Sequence, residues 1–157
     1  MMGERMKSLA RESDQAELFA RLKLVRPDSA RRWGRMSVHQ MVCHLADTFR
    51  MALGHKAATA PCGLLQRTAV KWIALYAPLR WPPGITTSPE LDQLGVIATP
   101  PTDFAADLAE VEVLMRLMLA DTRSLTLPHP VFGPMSEAAW LRWGYLHTDH
   151  HLRQFGA

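Results

Sequence analysis

The chain has 157 residues, a formal charge of +3 and an apolar fraction of 48%, which is the composition of an ordinary globular protein rather than of a disordered one. One domain is the default at this length, and a domain of this size buries about 70% of its unfolded surface without disulfide staples. Because Cys43 and Cys62 are the only two cysteines, a disulfide scaffold and a four-cysteine zinc site are excluded.

The sequence carries no signal for export, for a membrane or for nucleic acid. Its beginning mixes charges and has no apolar core segment, unlike a secretory signal. The longest strongly apolar stretch, residues 72–79, is far shorter than the ~20 residues that span a bilayer. Residues 1–35 hold nine Lys/Arg and five Asp/Glu, but no nucleic-acid motif follows them. We therefore expect a cytoplasmic protein, a location that suits free thiols, with no membrane or nucleic-acid partner.

The apolar residues follow helical spacing along almost the whole chain, and strand signals are scarce. Ser37 and Ser136 are good N-caps, and proline-rich passages at 81–101 and 127–134 are typical of loops. We predict an all-α fold, a four-helix bundle with an additional short helical segment and long proline-rich loops. The predicted organisation is a flexible N-terminus over residues 1–12 and one helical domain over 13–157. The predicted helices cover residues 13–25, 37–53, 64–76, a segment from 102 or 103 onward, and 136–155.

The last predicted helix carries a histidine pair at a spacing that suits a metal. His147 and His151 are one turn apart, about 40° around the helix and about 6 Å along it, so both imidazoles can reach one ion. Trp140 and Phe155 share their side of the helix, which indicates a buried face where two histidines need polar partners. Gly144 on the same stripe either leaves open space beside the pair or permits close helix packing.

A metal needs a third ligand, and His44 in the second predicted helix is the best candidate, although a lone helical histidine is often a hydrogen-bonded core residue. His150 points to the rim of the site. Cys43 is interpreted as a small apolar filler. For the other histidines, we expect His39 and His55 to be exposed, and His129 to be a loop residue whose loop could fold over the site.

Several segments together resemble the DinB/YfiT-like family of metal-dependent enzymes, and the chain is most similar to an uncharacterised bacterial branch of it. The C-terminal run is the most specific part. The segments that carry the resemblance are residues 33–37 (WGRMS), 40–45 (QMVCHL), 83–90 (PGITTSPE), 129–136 (HPVFGPMS) and 147–156 (HTDHHLRQFG).

The resemblance implies a four-helix bundle with a divalent metal held by His44, His147 and His151. Three imidazoles on zinc or nickel leave a coordination position open, as in catalytic sites. Some relatives use low-molecular-weight thiols as cosubstrates, so thiol-dependent transfer to an electrophile is the preferred reaction, with metal-dependent hydrolysis as the alternative. The catalytic residues, the substrate and the metal's identity do not follow from the sequence.

Three polar side chains near these histidines each leave two interpretations open. Asp47 lies one turn beyond His44 and could orient an imidazole or be a surface charge, and Gln154 carries the same ambiguity beside His151. Asp149 faces away from His147 and is interpreted as solvated or paired with an arginine.

A non-enzymatic alternative remains, in which the bundle binds a small ligand or a partner through the loop over residues 81–101. Met115 and Met118 would then form a dimer face, although core packing is favoured for them. A homodimer is compatible with a helical bundle of this size.

Overall fold

The structure is a computed structural model, and it describes residues 6–59 and 63–157. Within these ranges the chain is helical and forms no β-strand, which confirms the all-α prediction. A π-helical turn over Gln66–Val70 runs into the third helix, and a 3-10 turn over Thr122–Ser124 follows the fourth. The helices are α1 (Glu12–Leu22), α2 (Val38–Ala52), α3 (Lys71–Tyr76), α4 (Phe104–Ala120) and α5 (Glu137–Gln154).

The helix starts follow from the predicted caps. The Ser37 hydroxyl accepts the Gln40 N–H and the Gln40 side chain accepts the Ser37 N–H, which completes a capping box at α2. Asp103 and Ser136 cap α4 and α5 with one bond each, in which the side-chain oxygen accepts a backbone N–H of the first turn. The end of α1 differs from the prediction. The helix stops at Leu22 because the next residues close tighter i→i+3 bonds before Pro27.

Helix α2 is the centre of the bundle. It packs against α4 and α5, and α5 in turn packs against α1 and α3. Because α2 has neighbours on both sides, nearly all of its residues are buried, including the polar His44, Asp47 and Thr48. The site residues of α2 and α5 therefore face each other inside the protein.

Two alternatives left open by the sequence are decided by packing. A Cβ added at Gly144 would lie 2.7 Å from Leu9 Cδ1, so this glycine permits close packing rather than open space. Met115 and Met118 are fully buried in the core, as core packing predicts.

The predicted flexible segment 1–12 falls partly outside the described residues, since residues 1–5 are not among them. Farther along it, Leu9 is fully buried and its N–H donates to the Leu141 carbonyl at 3.1 Å. Among the described helices, none is both long enough and apolar enough to cross a membrane.

Candidate metal centre

Three histidines from two helices converge between α2 and α5. His44 lies midway along α2, and His147 and His151 lie in the last turns of α5. One ring nitrogen from each lies within 4.8 Å of the other two. The rings of His44 and His151 are 4.7 Å apart, as are those of His147 and His151. The predicted trio is therefore brought together by the fold.

The His44 ring is oriented by the loop that follows α3. Its Nδ1 lies 2.8 Å from the Leu91 carbonyl oxygen. Because a carbonyl only accepts, Nδ1 must carry the proton, and the neutral ring keeps its lone pair at Nε2. Burial lowers the pKa of His44, although the bond to Leu91 acts against this shift. The ring is thus held neutral with Nε2 free to bind a cation.

The His151 ring is oriented by a chain of two hydrogen bonds. The Gln154 Nε2 donates to the Trp33 carbonyl at 2.9 Å, which fixes the amide so that Oε1 faces His151. His151 Nδ1 lies 2.9 Å from this Oε1 and must donate to it, so its lone pair is also at Nε2. Gln154 therefore orients the imidazole, which was one of its two sequence interpretations.

His147 completes the group. Its Nε2 lies 3.3 Å from the Nε2 of His44, and its ring stacks on Trp143 at 5.0 Å with an interplanar angle of 13°. Burial, followed by the neighbouring His151 and His44, lowers its pKa well below the ordinary value. The pKa of His151 is also lowered well below the ordinary value, first by burial and then by His44. All three rings are neutral at pH 7, the state in which imidazole ligates a metal.

The spacing of two of the donors suits a tetrahedral ion. Two nitrogens bound to one zinc at about 2.0–2.1 Å lie roughly 3.3 Å apart, and the Nε2 atoms of His44 and His147 are separated by 3.3 Å. No fourth histidine, cysteine or carboxylate of the described residues joins this group. The described residues therefore offer three donors, which leave at least one position on a tetrahedral ion for water or a substrate.

The family comparison places the chain. Residues 3–157 match the family model described as "Protein of unknown function (DUF1569)". The chain belongs to this family. A search of the curated proteins and a search of the solved structures each gave no match. Because the DUF1569 description carries no activity, the function must be argued from the site.

Aromatic rings and a fourth histidine surround the centre of this DUF1569 chain. His150 is buried between Trp33 and Trp81, at ring distances of 5.7 and 6.1 Å, and its Nδ1 has no hydrogen-bond partner among the described residues. The ring lies beside His151 but outside the ligand group. Trp81 also lies 6.1 Å from His147 and so covers both histidines.

His129 is buried, which its position between two prolines does not reveal. Its Nδ1 accepts the N–H groups of Val131 and Phe132, so the ring closes its own turn. The ring also packs edge-on against Trp143 at 5.2 Å, and burial lowers its pKa to about 3. His129 therefore supports Trp143, which stacks on His147, and is not among the grouped donors.

Both interpretations of Asp47 were wrong. The side chain is fully buried, and its carboxylate accepts the N–H and hydroxyl of Thr99 at 2.9 and 2.6 Å. Arg50 and Lys56 neutralise it at 2.8 and 3.0 Å. Burial alone would raise its pKa, but these bonds lower it. Asp47 fastens the loop around Thr99, while the Leu91 carbonyl is the partner of the His44 ring.

Asp149 is paired with arginines, as one of its interpretations predicted. Arg21 and Arg153 each lie 2.8 Å from one of its carboxylate oxygens. The Arg21 bond joins α5 to α1, so this carboxylate has a structural partner at both oxygens.

The remaining histidines and cysteines lie outside the ligand group. His55 is exposed, as predicted. His39 is not, because it is half-buried against Asp107 of α4, with Nε2 and Oδ2 2.7 Å apart. Cys43 is buried as expected of a filler, but its Sγ also contacts the same carboxylate oxygen at 3.7 Å. Cys62 lies outside the described residues.

Proposed function

We propose that the chain binds one divalent metal ion, zinc or nickel, through the Nε2 atoms of His44, His147 and His151, and that it is a metal-dependent enzyme. The observation that carries the proposal is the fixed orientation of two of the rings. The Leu91 carbonyl and the Gln154 amide each occupy an Nδ1, so Nε2 is the only nitrogen left for a ligand.

The contact between the Nε2 atoms of His44 and His147 needs a proton or a cation between the two nitrogens. With His44 Nε2 unprotonated, the 3.3 Å approach of His147 Nε2 is satisfied either by one shared proton or by a cation. His151 adds a third lone pair to the group, which a single proton cannot satisfy but a metal can. This donor set supports the metal interpretation.

A catalytic role is supported by the number of donors and their accessibility. Structural zinc sites are normally closed by four protein ligands, whereas catalytic sites use three and keep one position open. His147 is only half-buried, whereas His44 and His151 are buried, so a ligand would reach the group past His147. An ion there would supply Lewis-acid chemistry, lowering the pKa of a water molecule or of an incoming thiol.

Thiol-dependent transfer to an electrophile is the reaction that we favour, in line with the resemblance to the DinB/YfiT-like family. Asp47 and Asp149, the carboxylates nearest the ligands in sequence, are both engaged in ion pairs elsewhere. Neither is free to act as the general base that activates a water molecule. A thiol whose pKa is lowered by the ion would lose its proton to solvent and need no such base. The rings of Trp81 and Trp143 lie beside His147 and give the group an apolar border.

The metal proposal is tested by elemental analysis of the purified full chain. We expect the histidine group of the wild-type chain to hold about one divalent ion, and the double variant His147→Ala/His151→Ala to retain about one equivalent less than the wild type. His55→Ala is the matched control, because it removes an exposed histidine near the end of α2 and should leave the metal content unchanged. An unchanged metal content in the double variant would refute the site.

The reaction class is tested on the metal-loaded chain. Thiol and electrophile pairs should be consumed in a metal-dependent reaction, whereas ester hydrolysis without thiol would favour the hydrolase alternative. A metal-loaded chain that turns over neither class would instead favour a non-enzymatic bundle that binds a small ligand through the loop over residues 81–101. Light scattering at rising concentration would show whether the chain forms a homodimer.

A further inference from the structure

A second group of donor atoms lies on the flank of α2 that faces α4. His39 and Cys43 are one turn apart on α2 and contact the carboxylate of Asp107 in the first turn of α4. His39 Nε2 lies 2.7 Å from Asp107 Oδ2, and Cys43 Sγ lies 3.7 Å from the same oxygen. One donor atom from each residue lies within 4.8 Å of the other two.

The partner of the Cys43 thiol argues against a nucleophilic cysteine. In a cysteine–histidine pair the imidazole takes the thiol proton, whereas here a carboxylate lies against the thiol. Burial first, and then Asp107, raise the pKa of Cys43 to about 12. With a carboxylate rather than an imidazole beside its sulfur, Cys43 is not arranged as a nucleophile.

We propose that His39, Cys43 and Asp107 form a second divalent-metal site, with one nitrogen, one sulfur and one oxygen donor. The mixed donor set, with its soft sulfur, suits zinc, cobalt or cadmium rather than magnesium or calcium. The arrangement repeats the plan of the histidine group, with two donors one turn apart on one helix and the third from a neighbouring helix.

The distances fit such an ion with a small adjustment. A thiolate and a carboxylate oxygen on one tetrahedral zinc lie about 3.6 Å apart, against the 3.7 Å between Cys43 Sγ and Asp107 Oδ2. The corresponding nitrogen–oxygen separation is roughly 3.3 Å, so the 2.7 Å contact between His39 and Asp107 must lengthen by about half an ångström. The Asp107 carboxylate is already oriented by the Thr102 N–H at 3.0 Å.

The group is accessible to an ion and its waters. The side chains of His39 and Asp107 are 24% and 18% exposed, while Cys43 is buried beneath them. On binding, the thiol proton of Cys43 leaves to solvent, and the imidazole proton of His39 moves from Nε2 to Nδ1. The ion would then join the first turns of α2 and α4, which are now joined by the His39–Asp107 contact.

Cobalt titration of the chelator-treated full chain tests this site separately from the histidine group. A thiolate on Co²⁺ gives a sulfur-to-cobalt charge-transfer band in the near ultraviolet, which a site of three imidazoles lacks. We expect the wild type to develop this band to about one equivalent, and Cys43→Ala to lose it. The band should persist in His147→Ala/His151→Ala, so the two sites can fail independently.

Cys62→Ala is the matched control, because it removes the only other thiol and should leave the band unchanged. Asp107→Asn keeps the size of the side chain and should weaken Co²⁺ binding by more than the roughly 10–100-fold that the loss of an outer partner costs. A wild-type chain without the band, or a band that disappears with Cys62 instead of Cys43, would overturn the proposal.

Discussion

Replacing His129 by asparagine should make the stability of the fold less sensitive to acid. In the native chain the ring is buried, accepts two backbone N–H groups through Nδ1, and has its pKa lowered to about 3 by burial. In the unfolded chain a histidine titrates near ~6.5. Between these values the unfolded state binds one more proton than the native state, so stability is lost as the pH falls.

The size of this effect follows from the pKa difference. At pH 7 both states leave the His129 ring neutral, whereas at pH 5 only the unfolded chain protonates it. Linkage then removes about 2 kcal/mol of unfolding free energy between pH 7 and pH 5. Asparagine can accept the same N–H groups through its side-chain oxygen, as in an Asx-turn, but it does not titrate.

The assay is urea unfolding of the chelator-treated chain at pH 7 and pH 5, followed by circular dichroism. His129→Asn loses ring packing against Trp143, so its stability falls at both pH values. The pH-dependent difference should nevertheless shrink by about 2 kcal/mol relative to wild type. His55→Asn serves as the control for losing a surface histidine. Equal pH dependence in wild type and His129→Asn would refute the reasoning.

Three further substitutions test the contacts around the histidines. Gln154→Leu removes the partner of His151 Nδ1 and should weaken Zn²⁺ binding by about 10–100-fold in calorimetric titration; unchanged affinity would mean that the amide does not orient the ring. Gly144→Ala places a Cβ 2.7 Å from Leu9 Cδ1 and should lower the unfolding free energy by about 1–3 kcal/mol in urea, against no loss if α5 has room. Asp47→Asn removes a fully buried charge from its cationic partners and should cost about 3–5 kcal/mol in the same assay, whereas a loss below 1 kcal/mol would contradict the buried ion pairs.

The helices and the histidine pair could be predicted because their causes are local. Ser37 and Ser136 cap the helices that they precede, and apolar spacing alone locates the helix faces. The spacing of His147 and His151 within one helix determines their separation before any tertiary contact forms. Helix geometry does not show which other histidine meets this pair. His44 was selected from several histidines, and the resemblance to a known family supported that prediction.

The rest depends on contacts between distant segments, which periodicity does not report. Asp47 looks like a surface charge on α2, yet it is buried because the loop around Thr99 covers it. The prolines around His129 predict a loop but not its burial. The acceptor for His44 is the backbone carbonyl of Leu91. Because every residue has such a carbonyl, the sequence does not indicate which one binds the ring.

The polar side chains of α2 that face the loop over residues 88–99 fix both the loop and the ligand ring. Gln40 donates to the Gln93 carbonyl, His44 donates to Leu91, and Asp47 accepts from Thr99, one turn after another along the helix. The loop thus provides hydrogen-bond partners for the buried polar groups of α2. Its Leu91 carbonyl also determines which nitrogen of His44 carries the proton. A change that moved the Leu91 carbonyl away would remove the acceptor that keeps the His44 proton on Nδ1, so the position of this loop determines which nitrogen of His44 is available to a ligand.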